Sequence, residues 1–258
     1  MIITFNKYQG AGNDFVIIDN RNGLVNPGNS KLINRICDRR FGIGADGLIL
    51  VSGHKTGDYE MKYFNSDGKL GSMCGNGGRC SAHFAWKSGI AGTRQRFQAY
   101  DGIHEAVVNE NYVNLQMADI KDYKIIDGNY FIDTGSPHYI LFKKDIDNID
   151  VNTEGRKIRW SEKFAPGGTN VNFVQVSSNG IYVRTFERGV EEETLACGTG
   201  ITASAVASVL RGYFDKDTVN VKARGGTLKV GLKTGENKIT DVWLYGPATF
   251  VFEGIISI

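Results

Sequence analysis

Residues 74–85 read C-G-N-G-G-R-C-S-A-H-F-A, and residues 197–208 read C-G-T-G-I-T-A-S-A-V-A-S. Over the first nine columns the two stretches share Cys, Gly, Gly, Ser and Ala at identical offsets, 123 positions apart (197 − 74). Internal repetition at a fixed interval is the signature of duplicated architecture, so the chain is expected to hold two related halves. Each motif opens a helical pattern rich in small residues: Ser81, Ala82 and Ala85 in the first, Ala203, Ser204, Ala205 and Ala207 in the second. Small side chains admit close backbone approach, which predicts a central helix in each half with a sheet curled around it.

Weaker echoes run alongside. Gly10–Val16 (G-A-G-N-D-F-V) is similar to Gly167–Val174 (G-G-T-N-V-N-F-V), and a strand ending in Phe64-Asn65-Ser66-Asp67-Gly68 parallels one ending in Phe186-Glu187-Arg188-Gly189. Alternating or apolar runs predict strands near 2–8, 14–19, 47–52, 58–64, 94–100, 103–108, 111–117, 129–133, 138–143, 171–177, 180–187, 218–223, 227–232, 240–245 and 248–253. Helical periodicity falls near 29–39, 76–88, 152–161 and 199–211. The expected fold class is mixed α/β (α+β), two pseudo-symmetric halves each with a curved, mostly antiparallel sheet around a helix. The polar stretch Ala118–Asp122 suggests a division into 1–120, carrying Cys74, and 121–247, carrying Cys197, with a final strand near 248–258 that returns to the first half.

Bulk properties narrow the function. With 258 residues and a net charge of +2, neither sign dominates, which argues against nucleic acid or acidic membrane as the partner and leaves a small molecule. No apolar run approaches the about 20 residues of a membrane span, and the alternating N-terminus lacks a basic start with an apolar core, so a cytoplasmic location is expected. The cysteines at 37, 74, 80 and 197 form no Cys-x-x-Cys pair, and the histidines at 54, 83, 104 and 138 do not fall at zinc spacing. The expectation is no metal, and no motif for a nucleotide or pyridoxal site is found, so no cofactor is expected.

The thiols themselves remain. A cysteine at a helix start meets the positive end of the helix dipole and uncovered N–H donors, both of which favour the thiolate. Glycines after Cys74 and Cys197 leave N–H groups open to a carboxylate. Two such motifs facing one substrate would place a base on one side of an α-carbon and an acid on the other, and thiol and thiolate can exchange those roles. Cys37, in the apolar pattern of Leu32, Ile33 and Ile36, and Cys80, inside the helix, read as core.

These residues sit in strings that resemble the diaminopimelate epimerase family over nearly the whole chain: Gly10–Phe15 (G-A-G-N-D-F), Gly42–Gly47 (G-I-G-A-D-G), Asn65–Gly68, Met73–Cys80 (M-C-G-N-G-G-R-C), Gly135–His138 (G-S-P-H), Thr169-Asn170, Glu187-Arg188-Gly189 and Ala196–Gly200 (A-C-G-T-G). The resemblance implies an active site in a cleft between the halves, a homodimer, and conversion of LL- to meso-diaminopimelate without pyridoxal phosphate, in lysine and peptidoglycan precursor biosynthesis. By the same resemblance Cys74 and Cys197 are the catalytic thiols. Gly75, Asn76, Gly198 and Thr199 cradle the carboxylate at the reacting centre. Asn13, Asn65, Asn170, Glu187 and Arg188 read the substrate's amino and distal carboxylate groups, and His138 and Glu187 tune the thiols.

Three departures stand out. Four residues, Val190–Glu193, separate Gly189 from Thr194 where the family pattern has three; Gly47 stands where some relatives carry Gln; and Ser136 stands where many carry Asn. A racemase or epimerase for proline or hydroxyproline with the same two thiols is the nearest alternative, although Asn76 and Glu187-Arg188-Gly189 favour diaminopimelate. A non-catalytic amino-acid or carboxylate binder is the other, although a binder needs neither thiol.

Overall fold

Alternating apolar and polar residues make Ile2–Gly10 a strand, β1, with Ile3 and Phe5 turned inward. The computed structural model describes residues 1–215, 217–235 and 238–258. Two units are formed, one by Met1–Leu115 with Gly246–Ile258, the other by Gln116–Tyr245.

In the first unit β1 is followed by β2 (Asn13–Asp19), α1 (Ser30–Cys37), β3 (Gly47–Ser52), β4 (Tyr59–Asn65), α2 (Gly75–Lys87), β5 (Arg94–Ala99), β6 (Gly102–Asn109) and β7 (Tyr112–Gln116). Neighbours pair in chain order: β1–β2 antiparallel, β2–β3 parallel, β3–β4 antiparallel, β4–β5 parallel, then β5–β6 and β6–β7 antiparallel. Residues 15–18 of β2 and 48–51 of β3 are continuous apolar runs because both faces of these strands are covered. On one face Val16, Ile18, Leu48 and Leu50 join Ile33, Ile36 and Cys37 of α1 in a single core. On the other lies α2, which packs against β1, β2, β3, β4 and β6. From Gly75 to Ala85 every residue of α2 is buried, the condition of a helix enclosed all round.

The second unit contains β8 (Lys124–Ile126), β9 (Asn129–Asp133), β10 (Pro137–Phe142), α3 (Val151–Arg159), β11 (Asn170–Ser177), β12 (Gly180–Glu187), β13 (Glu192–Thr194), α4 (Gly198–Leu210), β14 (Thr218–Ala223), β15 (Gly226–Thr234) and all but the last two residues of β16 (Ile239–Pro247). From β9 onward the pairing repeats that of the first unit: β9–β10 antiparallel, β10–β11 parallel, β11–β12 antiparallel, β12–β14 parallel, then β14–β15 and β15–β16 antiparallel. α3 takes the place of α1, packing with Tyr139, Leu141, Val171 and Phe173, and α4 takes the place of α2, against β9–β12, β14 and β15. One strand flanks each series. In the second unit it is β8, antiparallel to β9; in the first it is the last strand of the chain, β17 (Thr249–Ser257), antiparallel to β1.

The mixed α+β class expected from the sequence is thus the observed one, and every predicted helix and strand has a counterpart. One expectation is corrected. The similarity of Gly10–Val16 to Gly167–Val174 equates β2 with β11, whereas the pairing equates β2 with β10 and β3 with β11. The parallel ladders open at Phe15↔Gly47 and His138↔Asn170, and both partners are displaced by the interval of the cysteines (138 − 15 and 170 − 47). Asn170 therefore corresponds to Gly47, and Ser136 to Asn13. Glycine and asparagine recur wherever a tight turn feeds a strand, so local turn chemistry imitated the repeat. Among the described residues no helix is long and apolar enough to cross a membrane.

Candidate active site

Both motif cysteines are helix N-caps, and their backbones match: φ −107°, ψ 115° at Cys74 before α2, and φ −107°, ψ 111° at Cys197 before α4. An N-cap residue stands at the mouth of the unpaired N–H groups of the first turn. Cys74 Sγ accepts from the Gly77 N–H at 3.4 Å. Its thiol also lies 3.7 Å from Asn13 Oδ1, the acceptor that Asn76 Nδ2 approaches at 3.5 Å.

The orientation of these two amides follows from their other partners. Asn13 Nδ2 donates to Asp46 Oδ2 at 2.6 Å, and a carboxylate only accepts. Asn76 Oδ1 accepts from Arg79 Nη2 at 3.0 Å, and a guanidinium only donates. Arg79 is fully buried; its other acceptors are the carbonyls of Gly75 and Pro247, at 3.2 and 3.4 Å. Asp46 in turn accepts from Arg39 Nη2 at 2.8 Å, and Arg39 grips Asp14 through both of its terminal nitrogens, at 2.7 and 3.1 Å. Burial pushes the Asp14 carboxyl up, but the bonds from Arg39 and Lys7 outweigh it and hold the group well below the ordinary carboxylate range.

Asn65 ends β4 directly opposite Gly47. A Cβ at Gly47 would lie 2.4 Å from the Tyr63 ring, so that aromatic side chain fills the space into which a residue at 47 would project.

Around Cys197 the chemistry is different. Cys197 is 7 % exposed, and its Sγ lies 3.4 Å from Thr199 Oγ1. Thr199 Oγ1 lies 2.9 Å from His138 Nε2, and His138 Nδ1 lies 3.1 Å from Asn172 Oδ1. Asn172 Nδ2 is committed to the Gly200 carbonyl at 2.7 Å and to Ser204 Oγ at 3.0 Å. Its oxygen therefore faces the imidazole, which places the proton of neutral His138 on Nδ1 and leaves Nε2 to accept from Thr199. The hydroxyl oxygen is then open as an acceptor toward the Cys197 thiol. Burial pushes His138 down to about 4, against the Asn172 bond and with a smaller contribution from the Arg188 charge, so the ring is neutral near pH 7.

The remaining expected site residues of this unit cluster at the same strand ends. Asn170 pairs with His138 across the β10–β11 ladder; its Nδ2 donates to Ser136 Oγ and the Pro137 carbonyl, both at 2.8 Å, and its Oδ1 accepts from the Arg188 N–H at 2.7 Å. Glu187 closes β12, and its carbonyl accepts from the Glu191 N–H at 2.8 Å. The four-residue segment Val190–Glu193, one residue longer than the family pattern, is anchored: Glu191 adopts φ 65° and its carboxylate accepts from Arg159 Nε at 3.0 Å, Trp160 Nε1 at 3.2 Å and the Gly189 N–H at 3.0 Å. Gly75, Asn76, Gly198 and Thr199 occupy the first turns of α2 and α4.

Cys37 and Cys80 are buried, and burial pushes both thiols up to about 12. Sequence reasoning passed over Asp46, Arg39, Arg79 and Asn172. Asp46, Arg79 and Asn172 all lie inside strings already quoted, but the part Asn172 plays appears only through the register that turns it toward α4. Among the described residues no three His, Cys, Asp or Glu side chains group as a metal-binding set.

The family model described as "Diaminopimelate epimerase" matches residues 5–119 and 130–251. Curated relatives of that name include one from Flavobacterium psychrophilum, 47% identical with 97% of this chain and 98% of the relative covered. Another, from Chlorobaculum tepidum, is 45% identical with 96% and 99% covered. Among solved structures, a phenazine biosynthesis protein of the PhzF family from Bacillus anthracis superposes with a TM-score of 0.80 over 100% of both chains at 16% identity. A hydroxyproline epimerase from Agrobacterium vitis gives 0.71 over 99% of this chain and 92% of that one, at 12% identity. At such identities the structural neighbours speak for the fold, and the relatives speak for the family. With both cysteine motifs inside the matched residues, the chain belongs to the diaminopimelate epimerase family.

Proposed function

We propose that this chain interconverts LL- and meso-diaminopimelate by moving a proton at one α-carbon, with Cys74 and Cys197 as the acid/base pair and no pyridoxal phosphate. The observation that carries the reading is the pair of N-cap cysteines with matching backbone, inside a family match that spans both motifs. Inversion needs removal of a proton from one face and delivery to the other, so the reading requires both sulfurs to reach one carbon. The N–H groups after each cysteine, at Gly75, Asn76, Gly198 and Thr199, suit the carboxylate on that carbon and stabilise the carbanionic charge that spreads into it. Asn13, Asn65, Glu187 and Arg188 are assigned to the substrate's amino and distal carboxylate groups. Asn170 contributes by holding the Arg188 backbone and Ser136 in place. His138 acts through Thr199 on Cys197. A cytoplasmic homodimer, supported by the family resemblance, completes the proposal.

Incubation of the purified, reduced protein in deuterium oxide without pyridoxal phosphate tests it. Proton NMR should show loss of the α-proton signal of LL- and meso-diaminopimelate, with proline and hydroxyproline unchanged. Cys74→Ala and Cys197→Ala should each reduce epimerisation by roughly 10³-fold, while Cys37→Ala and Cys80→Ser retain most activity. Absence of exchange in the unaltered protein refutes the reaction, and equal losses at all four cysteines refute the roles.

A further inference from the structure

Three features at the start of α2 pull its thiol toward the charged form: the helix dipole, the Gly77 N–H at 3.4 Å from Cys74 Sγ, and the buried Arg79 guanidinium four residues into the helix. A thiol that is to serve as base in one direction and acid in the other also needs an influence that favours its protonated form.

We propose that Asp46, braced by Arg39, is a positioning residue that fixes the amide of Asn13 with its oxygen toward Cys74, and thereby favours the protonated thiol. Asn13 Nδ2 is held at 2.6 Å by Asp46 Oδ2, which also accepts from the Asp14 N–H at 3.1 Å. Arg39 reaches Asp46 Oδ1 at 2.8 Å while its other contacts clamp Asp14, whose second oxygen receives Lys7 Nζ at 2.6 Å. Asp14 Oδ1 accepts from the Asp46 N–H at 3.0 Å, closing the bracket on itself. From the other side Arg79 orients Asn76 so that its Nδ2 also points at Asn13 Oδ1. A flipped Asn13 would set its NH₂ against both Asn76 Nδ2 and the sulfur, and its oxygen against a carboxylate.

The second unit isolates what is special here. At the position corresponding to Asp46 it has Thr169 (169 − 46 is again 123), whose hydroxyl donates to the Pro137 and Asn170 carbonyls at 3.1 and 3.0 Å. At this position, then, a carboxylate stands only in the Cys74 unit. Within that unit the charged or titratable groups that make up or adjoin this network include Lys7 (β1), Asp14 (β2), Arg39 and Asp46 (the α1–β3 connection), Arg79 and Cys80 (α2) and Tyr112 (β7).

This inference rests on the reading of Cys74 as a catalytic thiol, but its test needs no turnover. In a Cys197→Ala background, iodoacetamide labelling of the Cys74 peptide is followed by mass spectrometry across pH. Asp46→Asn releases Asn13 to present a donor to the sulfur, and the labelling midpoint should fall by roughly one pH unit. Arg39→Met, which removes a positive charge, should also lower it, because Asp46 loses its brace. If instead the two variants shift the midpoint in opposite directions, bulk charge alone governs the thiol and the proposal is overturned; an unmoved midpoint overturns it as well. Should either variant fail to fold, the unaltered protein supplies the check. The Asn13 side-chain amide should give two resolved, exchange-protected NMR resonances, and a rapidly exchanging pair defeats the proposal.

Discussion

Gly77 and Gly200 hold the same place in α2 and α4, yet they rest on different floors. A Cβ added at Gly77 would meet Ile49 Cδ1 at 3.2 Å and Met61 Cε at 3.3 Å, whereas one added at Gly200 would meet Asn172 Nδ2 at 2.7 Å and His138 Cε1 at 3.1 Å. Ile49 and Asn172 are themselves 123 residues apart, as are Phe15 and His138. The duplicated backbone has been kept while its support has diverged. Under the Cys74 helix lies hydrocarbon, with charged partners at its flank; under the Cys197 helix stands a buried neutral column of imidazole, amide and hydroxyl. Two thiols in one backbone conformation thereby meet two electrostatic settings, a difference that the proposed acid/base pair could use.

Acid should break the symmetry most strongly. His138 lies near 4 when folded, against about 6.5 in an unfolded chain. Between those values the unfolded state binds the extra proton, so the stability from neutral, buried His138 is complete above pH 6.5 and is lost progressively as pH falls toward 4. The total is roughly 3 kcal/mol. Subtracting urea unfolding curves of His138→Gln from those of the unaltered chain should reveal that loss within this window, and a flat difference would dismiss it. The Asp14 bracket titrates elsewhere. Its depressed carboxyl contributes stability above about pH 4 that disappears only as pH drops further, so the first unit should outlast the second in mild acid.

A smaller effect separates the glycines. Gly200→Ala forces a methyl onto the Asn172 amide and should cost about 1–3 kcal/mol. Gly77→Ala presses only on the ends of Ile49 and Met61, which can yield, and the gain in helix propensity offsets much of the strain, for a net change within about 1 kcal/mol. Equal losses in urea denaturation would show that the polar floor is no stiffer than the apolar one.

Smallest is the contrast between the outer helices. Asn29 caps α1 by accepting from the Leu32 N–H at 3.1 Å, and Asp150 caps α3 by accepting from the Thr153 N–H at 3.1 Å and its hydroxyl at 2.7 Å. Asn29→Ala should cost about 1 kcal/mol, and Asp150→Ala should lower the melting temperature further because it severs two bonds. The reverse order would place α1 rather than α3 as the more cap-dependent helix.

What could be read in advance followed from periodicity and duplication. The fifteen longer strands announced themselves through alternating or continuous apolar residues. β13 (Glu-Glu-Thr) and β8 (Lys-Ile-Ile) did not, because three residues carry no period and their pairing is decided by β12 and β9. The placement of Cys74 and Cys197 at helix starts was legible because the motif occurs twice. Their immediate partners were less so: nothing local distinguishes Asn172, in Val-Asn-Phe, from a solvent-facing strand residue until β11 is placed against α4. Asp46 resembles a turn residue between glycine and alanine until β3 brings it beside Asn13. The false equivalence of β2 with β11 has the same origin, since turns repeat for reasons of their own.

The antiparallel partner that completes the edge of the first unit, β17, is encoded after the entire second unit. On the ribosome, therefore, β1 emerges well before this second neighbour and waits while the 238 residues between Gly10 and Thr249 (249 − 10 − 1) are polymerised. The intervening half can close its own hydrogen-bond ladder earlier, so the order of synthesis is the inverse of the order in which the two halves can be finished.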